Sequence, residues 1–291
     1  YDALREIGLY ETIRSAGREI APAADGTPVA IGIGRQFIID QLREGVRIDY
    51  LHRVIDFLRD GERVVGLRAA TPSGERDFSA DLVVGADGAH SNVRGLAGIS
   101  AALSAAPTAS LSFRSPVMIE EPFAMAYQSD GRQVGLLGWP GGAAGWWQID
   151  RIGRDAALAP GYEAYCAGFA RLLPAAASAL AGVRSDDQLI YREATEVRCE
   201  QWWAPGVVLI GEAAHAIDPE AGVGAGLGFG DAQALAVAVA QAPDVGLAGE
   251  TYEHWRRPAV APYEHVGGAG ARLIPDAPAG ERPAHERWPP A

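Results

Sequence analysis

The chain has 291 residues, of which 48% are hydrophobic and 21% are charged, a composition typical of a soluble globular protein with a sizeable core. Its net charge of −12, with no lysine among the 25 basic residues, argues against non-specific nucleic-acid binding. No uninterrupted apolar run approaches the ~20 residues needed to span a bilayer. Cys166 and Cys199 match no metal or redox spacing and indicate reduced structural thiols in a cytoplasmic protein.

The first part of the chain is predicted to mix helices and strands. The predicted elements are, in chain order, an amphipathic helix over 1–17, strand or loop over 21–34, a helix over 35–44, and strands over 46–50, 53–58, 64–69 and 82–86. Phe37, Ile38 and Leu42 have the spacing of a buried helix face.

The middle of the chain, from residue 105 to residue 199, has short alternating segments between Gly/Pro-rich turns. This pattern is typical of an antiparallel sheet with one covered face. The predicted elements here are strands over 110–118, 123–127, 133–137 and 145–149 and a helix over 162–173. Trp146 and Trp147 are adjacent, so they must face opposite sides of their strand. A strand over 207–210 and a helix over 231–241 follow, and a Pro/Gly/Ala-rich tail ends the chain.

Two predicted strands end at glycine beside an acid, where open α/β sheets place ligands. The first string runs from Asp81 to Arg94 and reads DLVVGADGAHSNVR. In it, glycine lets the backbone approach a ligand, Ser91 and nearby amides can donate hydrogen bonds, and Arg94 can pair with phosphate. The alternative is a plain strand-to-helix turn in which Ser91 caps the helix and Arg94 is a surface charge. The second string, Gly206 to Gly224, reads GVVLIGEAAHAIDPEAGVG and leads into a helix.

These strings, in this order, resemble the flavin-dependent aromatic hydroxylases, the single-component FAD monooxygenases similar to p-hydroxybenzoate hydroxylase. In that family the first string is the DG motif, near the FAD pyrophosphate and the nicotinamide path. The second is the GD motif, whose turn and helix face the pyrimidine edge of the isoalloxazine ring and stabilise negative charge on reduced flavin. The resemblance implies FAD contacts from Arg35, Asp87, Gly88, Ser91, Arg94, Gly211, Glu212, Pro219, Gly222, Val223 and Gly224.

Several positions leave alternatives open. Glu212 replaces the family's aspartate, which hydrogen-bonds the ribityl chain, and a carboxylate one methylene longer either still accepts that bond or crowds the flavin. Gly226 replaces the usual asparagine. Arg35 fits the family's arginine, with aliphatic residues three and seven positions later, or is a solvated arginine at a helix start. His215 is interpreted as a structural residue that caps or packs the turn; the alternative is a general base, which would have to lie within hydrogen-bond reach of substrate.

The implied fold is α/β, or α+β overall, with an FAD/NAD(P)-binding Rossmann-like domain interrupted by an antiparallel-sheet substrate domain. The expected domains are FAD binding over 1–104 and 200–258, substrate binding over 105–199, and a Pro/Gly-rich tail over 259–291. The family opens with a strand, a G-x-G-x-x-G loop and a helix. Gly32-x-Gly34 lacks the third glycine and a helix in the right place, so the FAD-binding domain is expected to be N-terminally incomplete. Its first βαβ unit either belongs to a longer parent protein or is naturally lost.

The activity that the resemblance implies is that of an NAD(P)H- and FAD-dependent monooxygenase that hydroxylates or epoxidises an aromatic or polyketide-like small molecule. NAD(P)H is the co-substrate, O2 adds at flavin C4a, and the hydroperoxide delivers one oxygen, so no catalytic side chain is predicted. No metal, nucleic-acid partner or membrane span is expected, and a homodimer is allowed. The alternatives are a flavin-free remnant that binds a small molecule, or another flavin oxidoreductase of this fold. The lack of lysine counts against a halogenase.

Overall fold

A computed structural model describes residues 2–22 and 28–264. Its helices are, in chain order, α1 (Asp2–Glu6), α2 (Tyr10–Ala16), α3 (Arg35–Arg43), α4 (Asn92–Leu96), α5 (Arg154–Leu158), α6 (Gly161–Leu172), α7 (Ala177–Leu180), α8 (Gly224–Gln241) and α9 (Ala248–Val260). Its strands are β1 (Arg18–Pro22), β2 (Pro28–Gly32), β3 (Arg53–Asp60), β4 (Arg63–Thr71), β5 (Gly74–Ser79), β6 (Val83–Gly85), β7 (Ala101–Ser115), β8 (Phe123–Tyr127), β9 (Gln133–Trp139), β10 (Gly142–Asp150), β11 (Leu189–Cys199), β12 (Trp203–Ala204), β13 (Val207–Leu209) and β14 (His215–Ala216). The predicted mixed α/β class is confirmed. None of the helices in these two ranges is long and apolar enough to cross a membrane.

Packing divides the chain into two compact units. Of the described residues, the first contains 2–22, 28–47 and 106–194, and the second contains 48–105 and 195–264. Residues 2–22 and 28–47 therefore pack with the middle of the chain, whereas the sequence predicts that they belong to the FAD-binding domain. The functional division into FAD-binding and substrate domains stays a prediction, because packing and ligand contact are separate properties.

The first unit is built on an antiparallel sheet in which β7, β10, β9 and β8 are neighbours in that order. One face of the sheet is covered by α6, as the alternating pattern predicted. The rings of Phe113, Tyr165 and Phe169 meet there, with the Phe113 and Phe169 centroids 5.4 Å apart. The Trp147 ring joins this cluster. Trp146 points to the other face, where its ring lies 6.3 Å from the ring of Phe123.

The second unit contains the strands that carry both glycine motifs. β13 pairs in parallel with β6, in the register Val207 to Val83 and Leu209 to Gly85, and antiparallel with β12. The core beneath this sheet includes the fully buried Trp202 and Tyr252. In the part of the chain that the structure describes, β6 is the edge strand of its sheet. The further strand that the family resemblance implies there stays a prediction.

Four local predictions are wrong. The predicted first helix is two helices, because Gly8 (φ +73°) breaks it. Residues 46–50 are not a strand: they join no sheet among the described residues, and their alternating apolar side chains are exposed. The helix predicted from Asp231 begins seven residues earlier, at Gly224, where repeated glycines hid its start. α9 continues past Pro258 to Val260, and the rest of the predicted tail, from residue 265, lies outside the described residues.

Candidate functional site

The two glycine motifs meet at the carboxyl ends of two parallel strands. The Ile210 N–H, just past the end of β13, donates to the Gly85 carbonyl at the end of β6 at 2.9 Å. A Cβ built at Gly88 would lie 4.0 Å from Glu212 Oε2. Parallel pairing therefore brings the turn after β6 and the turn after β13 side by side, at the edge where such sheets bind ligands.

The polar side chains of the DG motif hold its own turn in shape. The Asp87 carboxylate accepts hydrogen bonds from the Ser91 hydroxyl, from Asn92 N at 2.8 Å and from Val93 N at 3.1 Å. Ser91 Oγ in turn accepts from Arg94 N at 2.9 Å, so Ser91 is the N-cap of α4. Asp87 and Ser91 thus shape the turn in which Gly88 has φ +84°. Their contact with FAD stays a prediction.

Arg94 ties the two motifs together. Its side chain is buried, its Nη1 donates to the Ala213 carbonyl at 2.9 Å, and its Nη2 donates to the Ala89 carbonyl at 2.8 Å. The alternative in which Arg94 is a surface charge is therefore wrong. Pairing of Arg94 with a phosphate stays a prediction. A phosphate would have to compete with these two carbonyls for the guanidinium.

The GD motif ends in an open helix N-terminus. Residues 219–221 form a single 3-10 turn, Gly222 has φ +65°, and α8 begins at Gly224. The Leu227 N–H donates to the Val223 carbonyl at 2.9 Å, which leaves the amides of residues 224–226 without an acceptor inside the helix. A Cβ built at Gly224 or at Gly226 meets no atom within 4 Å. The turn therefore presents free N–H donors and the positive end of an 18-residue helix at an uncovered surface.

This donor set fits the cofactor that the motifs predict. The electron-rich pyrimidine edge of a flavin carries hydrogen-bond acceptors and, when reduced, negative charge. Unpaired amides at a helix N-terminus bind such an edge. Glu212, which is exposed and lies beside Gly88, presents a carboxylate that can accept from a ribityl hydroxyl. Val223, Gly224 and their neighbouring amides would hold the ring, and Gly88 would let the backbone approach the cofactor.

A buried ionic cluster anchors the GD turn from below. Asp231, on α8, is fully buried; its Oδ2 accepts from Gly211 N at 2.8 Å and lies 2.7 Å from His215 Nε2. Its Oδ1 accepts from Arg256 Nε at 2.8 Å. Arg256 Nη2 also donates to the Leu227 carbonyl at 3.1 Å. One carboxylate thus joins the GD glycine, the helix that follows it and α9.

His215 and Asp231 have positions that favour structural roles. His215 is only 3% exposed, and its ring stacks near Trp202 with the centroids 4.8 Å apart. This supports the interpretation of His215 as a residue of the turn. Asp231 was not among the site residues predicted from the sequence. A lone carboxylate in an Ala/Leu/Val helix was a usable signal, because an acid is rarely buried unless it is paired.

The stability of this cluster is expected to depend on pH. Burial alone would raise the pKa of Asp231, but the hydrogen bonds and charges of His215 and Arg256 outweigh it and hold that pKa below its usual value. The contribution of Asp231 is therefore fully present above the unfolded pKa of about 3.9 and is lost as the pH falls through the lowered folded value. Urea unfolding should show that the difference in free energy of unfolding between the native chain and Asp231→Asn decreases below about pH 4. A difference that stays constant as the pH falls would contradict this.

The structure brings ten of the predicted cofactor residues into the second unit, and Arg35 belongs to the first. Arg35 is exposed and is the first residue of α3, which follows Gly34 directly. This helix confirms the one predicted over 35–44, and Phe37 stands where the third glycine of a G-x-G-x-x-G loop would be. The contact of Arg35 with FAD stays a prediction.

Comparison with known proteins identifies the family. The family described as FAD binding domain matches residues 36–264. Among solved structures, pqsL, a probable FAD-dependent monooxygenase from Pseudomonas aeruginosa, is similar with a TM-score of 0.71 and 21% identity, over 94% of this chain and 84% of that one. Tetracycline destructase Tet(51) has a TM-score of 0.64 and 20% identity, over 91% and 76% of the two chains. A variant of 2-methyl-3-hydroxypyridine-5-carboxylic acid oxygenase has a TM-score of 0.68 and 18% identity, over 88% and 74%.

The search of curated proteins returned no match. The structural similarities, all at low identity, concern the fold, whereas the family match covers most of the chain and includes both motifs. The chain therefore belongs to the FAD binding domain family.

Proposed function

We propose that the chain is an NAD(P)H-dependent FAD monooxygenase that hydroxylates or epoxidises an aromatic or polyketide-like small molecule. The observation that supports this most is the uncovered N-terminus of α8 beside the two glycine turns. Its unpaired amides and partial positive charge favour a ligand whose facing edge becomes anionic on reduction, which describes reduced flavin. When bound, FAD would supply the electron transfer from NAD(P)H and the activation of O2.

The chain's own residues would bind and orient the cofactor. In this proposal the amides of Val223 and Gly224 bind the pyrimidine edge, and Glu212 accepts a hydrogen bond from the ribityl chain. The buried cluster around Asp231 keeps the GD turn in place, and Arg94 keeps the DG turn against it. No side chain is proposed as a nucleophile.

The substrate would contact the Trp146 face of the first unit's sheet. The opposite face is covered by α6, and its buried side chains belong to the core. On the Trp146 face, Trp146 and Phe123 are half-buried, and Ser112 lies opposite Trp146 in the pairing of β7 with β10. Aromatic rings with nearby hydroxyls suit a planar substrate that carries polar substituents. The predicted domain division, a homodimer and a cytoplasmic location are parts of this proposal.

The first experiment is to incubate the purified chain with FAD, desalt it and record its visible absorption spectrum. We expect a retained flavin band. NADH and NADPH oxidation would then be followed with a panel of phenols and polyketide-like aromatics under ¹⁸O2, and labelled oxygen is expected in the product. The proposal fails if the chain retains no FAD.

A second candidate is a flavin-free protein that binds a small aromatic molecule. Glu212 favours it, because the longer carboxylate is directed towards Gly88, where it narrows the approach to the DG backbone. Ligand binding by a chain that retains no FAD would support this candidate. Replacing Glu212 by aspartate and regaining FAD would instead support the monooxygenase.

A further inference from the structure

The antiparallel sheet of the first unit ends at β8, which pairs with β9 and with no other strand among the described residues. The pairing is regular, from Phe123 opposite Leu137 to Tyr127 opposite Gln133, and contains no bulge. An edge strand carries a row of backbone N–H and C=O groups that have no partner in their own sheet. The free edge of β8 is therefore a surface to which a further strand can be added.

The hydrogen bonds at the two ends of β8 show which of its backbone groups face outwards. The Pro122 carbonyl accepts from Gly138 N at 2.9 Å, and Gln128 N donates to the Arg132 carbonyl at 2.7 Å. The even-numbered residues of this stretch thus direct their backbone groups towards β9. Backbone groups alternate in direction along a strand, so the odd-numbered residues direct theirs to the free edge. The residues that face outwards are Phe123, Met125 and Tyr127.

The features that usually protect an edge strand are missing from β8. Its sequence, FAMAY, contains no charged residue and no proline, and the nearest charges in the sequence are Glu121 before it and Asp130 after it. The side chain of Tyr127 is 50% exposed, and the other four residues are half-buried. A regular, uncharged and partly exposed edge is the kind that associates with another strand.

The order of side chains in β8 is symmetric about Met125, and this symmetry favours a second copy of the same strand as the partner. Large side chains stand at the ends and the centre, with Ala124 and Ala126 between them. If two copies pair antiparallel about a twofold axis at Met125, the outward N–H and C=O groups of all three odd-numbered residues find partners. Phe123 then lies directly opposite Tyr127 of the second copy, and aromatic cross-strand pairs stabilise a sheet. Ala124 lies opposite Ala126 of the second copy, so no bulky side chains clash on that face.

We propose that the chain forms a homodimer in which the free edges of two β8 strands pair antiparallel about a twofold axis at Met125. The interface is small beside the ~1,200 Å² that stable complexes bury, so the expected dissociation constant is on the order of 10 µM. This inference names a surface for the homodimer included in the proposed function. The pairing needs no FAD or substrate, so the dimer and the monooxygenase activity can fail separately.

The first test measures mass by light scattering as the protein concentration is raised, without FAD. The mass of the native chain is expected to rise from 30.6 kDa towards twice that value. Met125→Lys places two like charges opposite each other at the axis and should raise the dissociation constant at least about tenfold. Met118→Lys is the matched control, because Met118 is 56% exposed and lies outside β8. Its dissociation constant should stay within about twofold of the native value.

A charge-swap experiment separates a broken interface from a damaged fold. Met125→Glu should weaken the dimer as Met125→Lys does, because two carboxylates then face each other at the axis. An equal mixture of the two variants should form dimers again, since opposite charges meet in the mixed pair. Misfolded variants would not recover in this way. A mixture that stays monomeric while the native chain dimerises would overturn the proposed axis.

Amide hydrogen exchange of the ¹⁵N-labelled chain tests the pairing residue by residue. Exchange at Phe123, Met125 and Tyr127 should slow as the concentration rises, because their N–H groups become paired only in the dimer. Exchange at Ala124 and Ala126 should change much less, because their N–H groups already face β9. The proposal is overturned if the chain is still monomeric at about 1 mM, or if it dimerises without slowing exchange at the three outward amides.

Discussion

Replacing Asp231 by asparagine is expected to lower the free energy of unfolding by about 3–5 kcal/mol. The substitution keeps the size of the side chain and removes its charge. It would leave the buried Arg256 guanidinium without its carboxylate and weaken the bond that holds Gly211 N. Breaking a buried ion pair from one side costs this much because the remaining charge cannot regain its water. Urea denaturation, followed by circular dichroism, measures the loss.

Asp77→Asn is the matched control for this prediction. Asp77 also bonds an arginine, Arg68, at 2.7 Å, but both side chains are more than 40% exposed. The same chemical change should therefore have little effect on stability, since water and salt screen a surface pair. Equal effects of Asp231→Asn and Asp77→Asn would show that the cluster beneath the GD turn is not a structural anchor.

Replacing Gly224 by leucine is expected to abolish stable FAD binding while leaving the fold intact. A Cβ at Gly224 meets no atom of the described residues within 4 Å, and leucine is a better helix former than glycine by up to about 1 kcal/mol. The protein itself therefore has room for the side chain. A flavin bound against the α8 amides does not, so its dissociation constant should rise at least about tenfold. Fluorescence titration with FAD measures the affinity, and thermal unfolding measures the stability.

Gly95→Leu is the control for the Gly224 variant. Gly95 lies in α4, next to the DG motif, and a Cβ there also meets no atom within 4 Å. It makes the same change on a helix surface that the proposal does not assign to the flavin. FAD affinity within about twofold of the native value is expected. If Gly224→Leu binds FAD as well as Gly95→Leu does, the cofactor does not lie against the N-terminus of α8.

Asp231→Asn and Gly224→Leu separate stability from cofactor binding. Asp231→Asn acts below the GD turn, on the residues that hold it, so it should lower stability first and FAD affinity as a consequence. Gly224→Leu acts above the turn and should lower FAD affinity alone. Both results are expected if the GD turn binds FAD through its backbone N–H groups. Such donors bind well only when the chain that carries them is held rigid.

The sequence was sufficient to predict the family, the motifs and most of the strands. Strands such as those over 123–127 and 133–139 were predicted closely because alternation of apolar and polar residues reports directly on a half-covered sheet. The same alternation wrongly predicted a strand over 46–50, which is an exposed, irregular segment. The start of α8 was missed because glycine lowers helix propensity, yet here packing and the free space above the turn permit a helix.

The sequence by itself determined which glycines and acids stand at the two strand ends, and therefore the family and its cofactor. Only the tertiary structure decided what those side chains do. Asp87 and Ser91 accept hydrogen bonds from backbone N–H groups of their own turn, Arg94 donates to nearby carbonyls, and the buried Asp231 anchors the GD turn. The physical reason is that a motif fixes which donors and acceptors are available, whereas their partners depend on contacts between residues up to 119 positions apart.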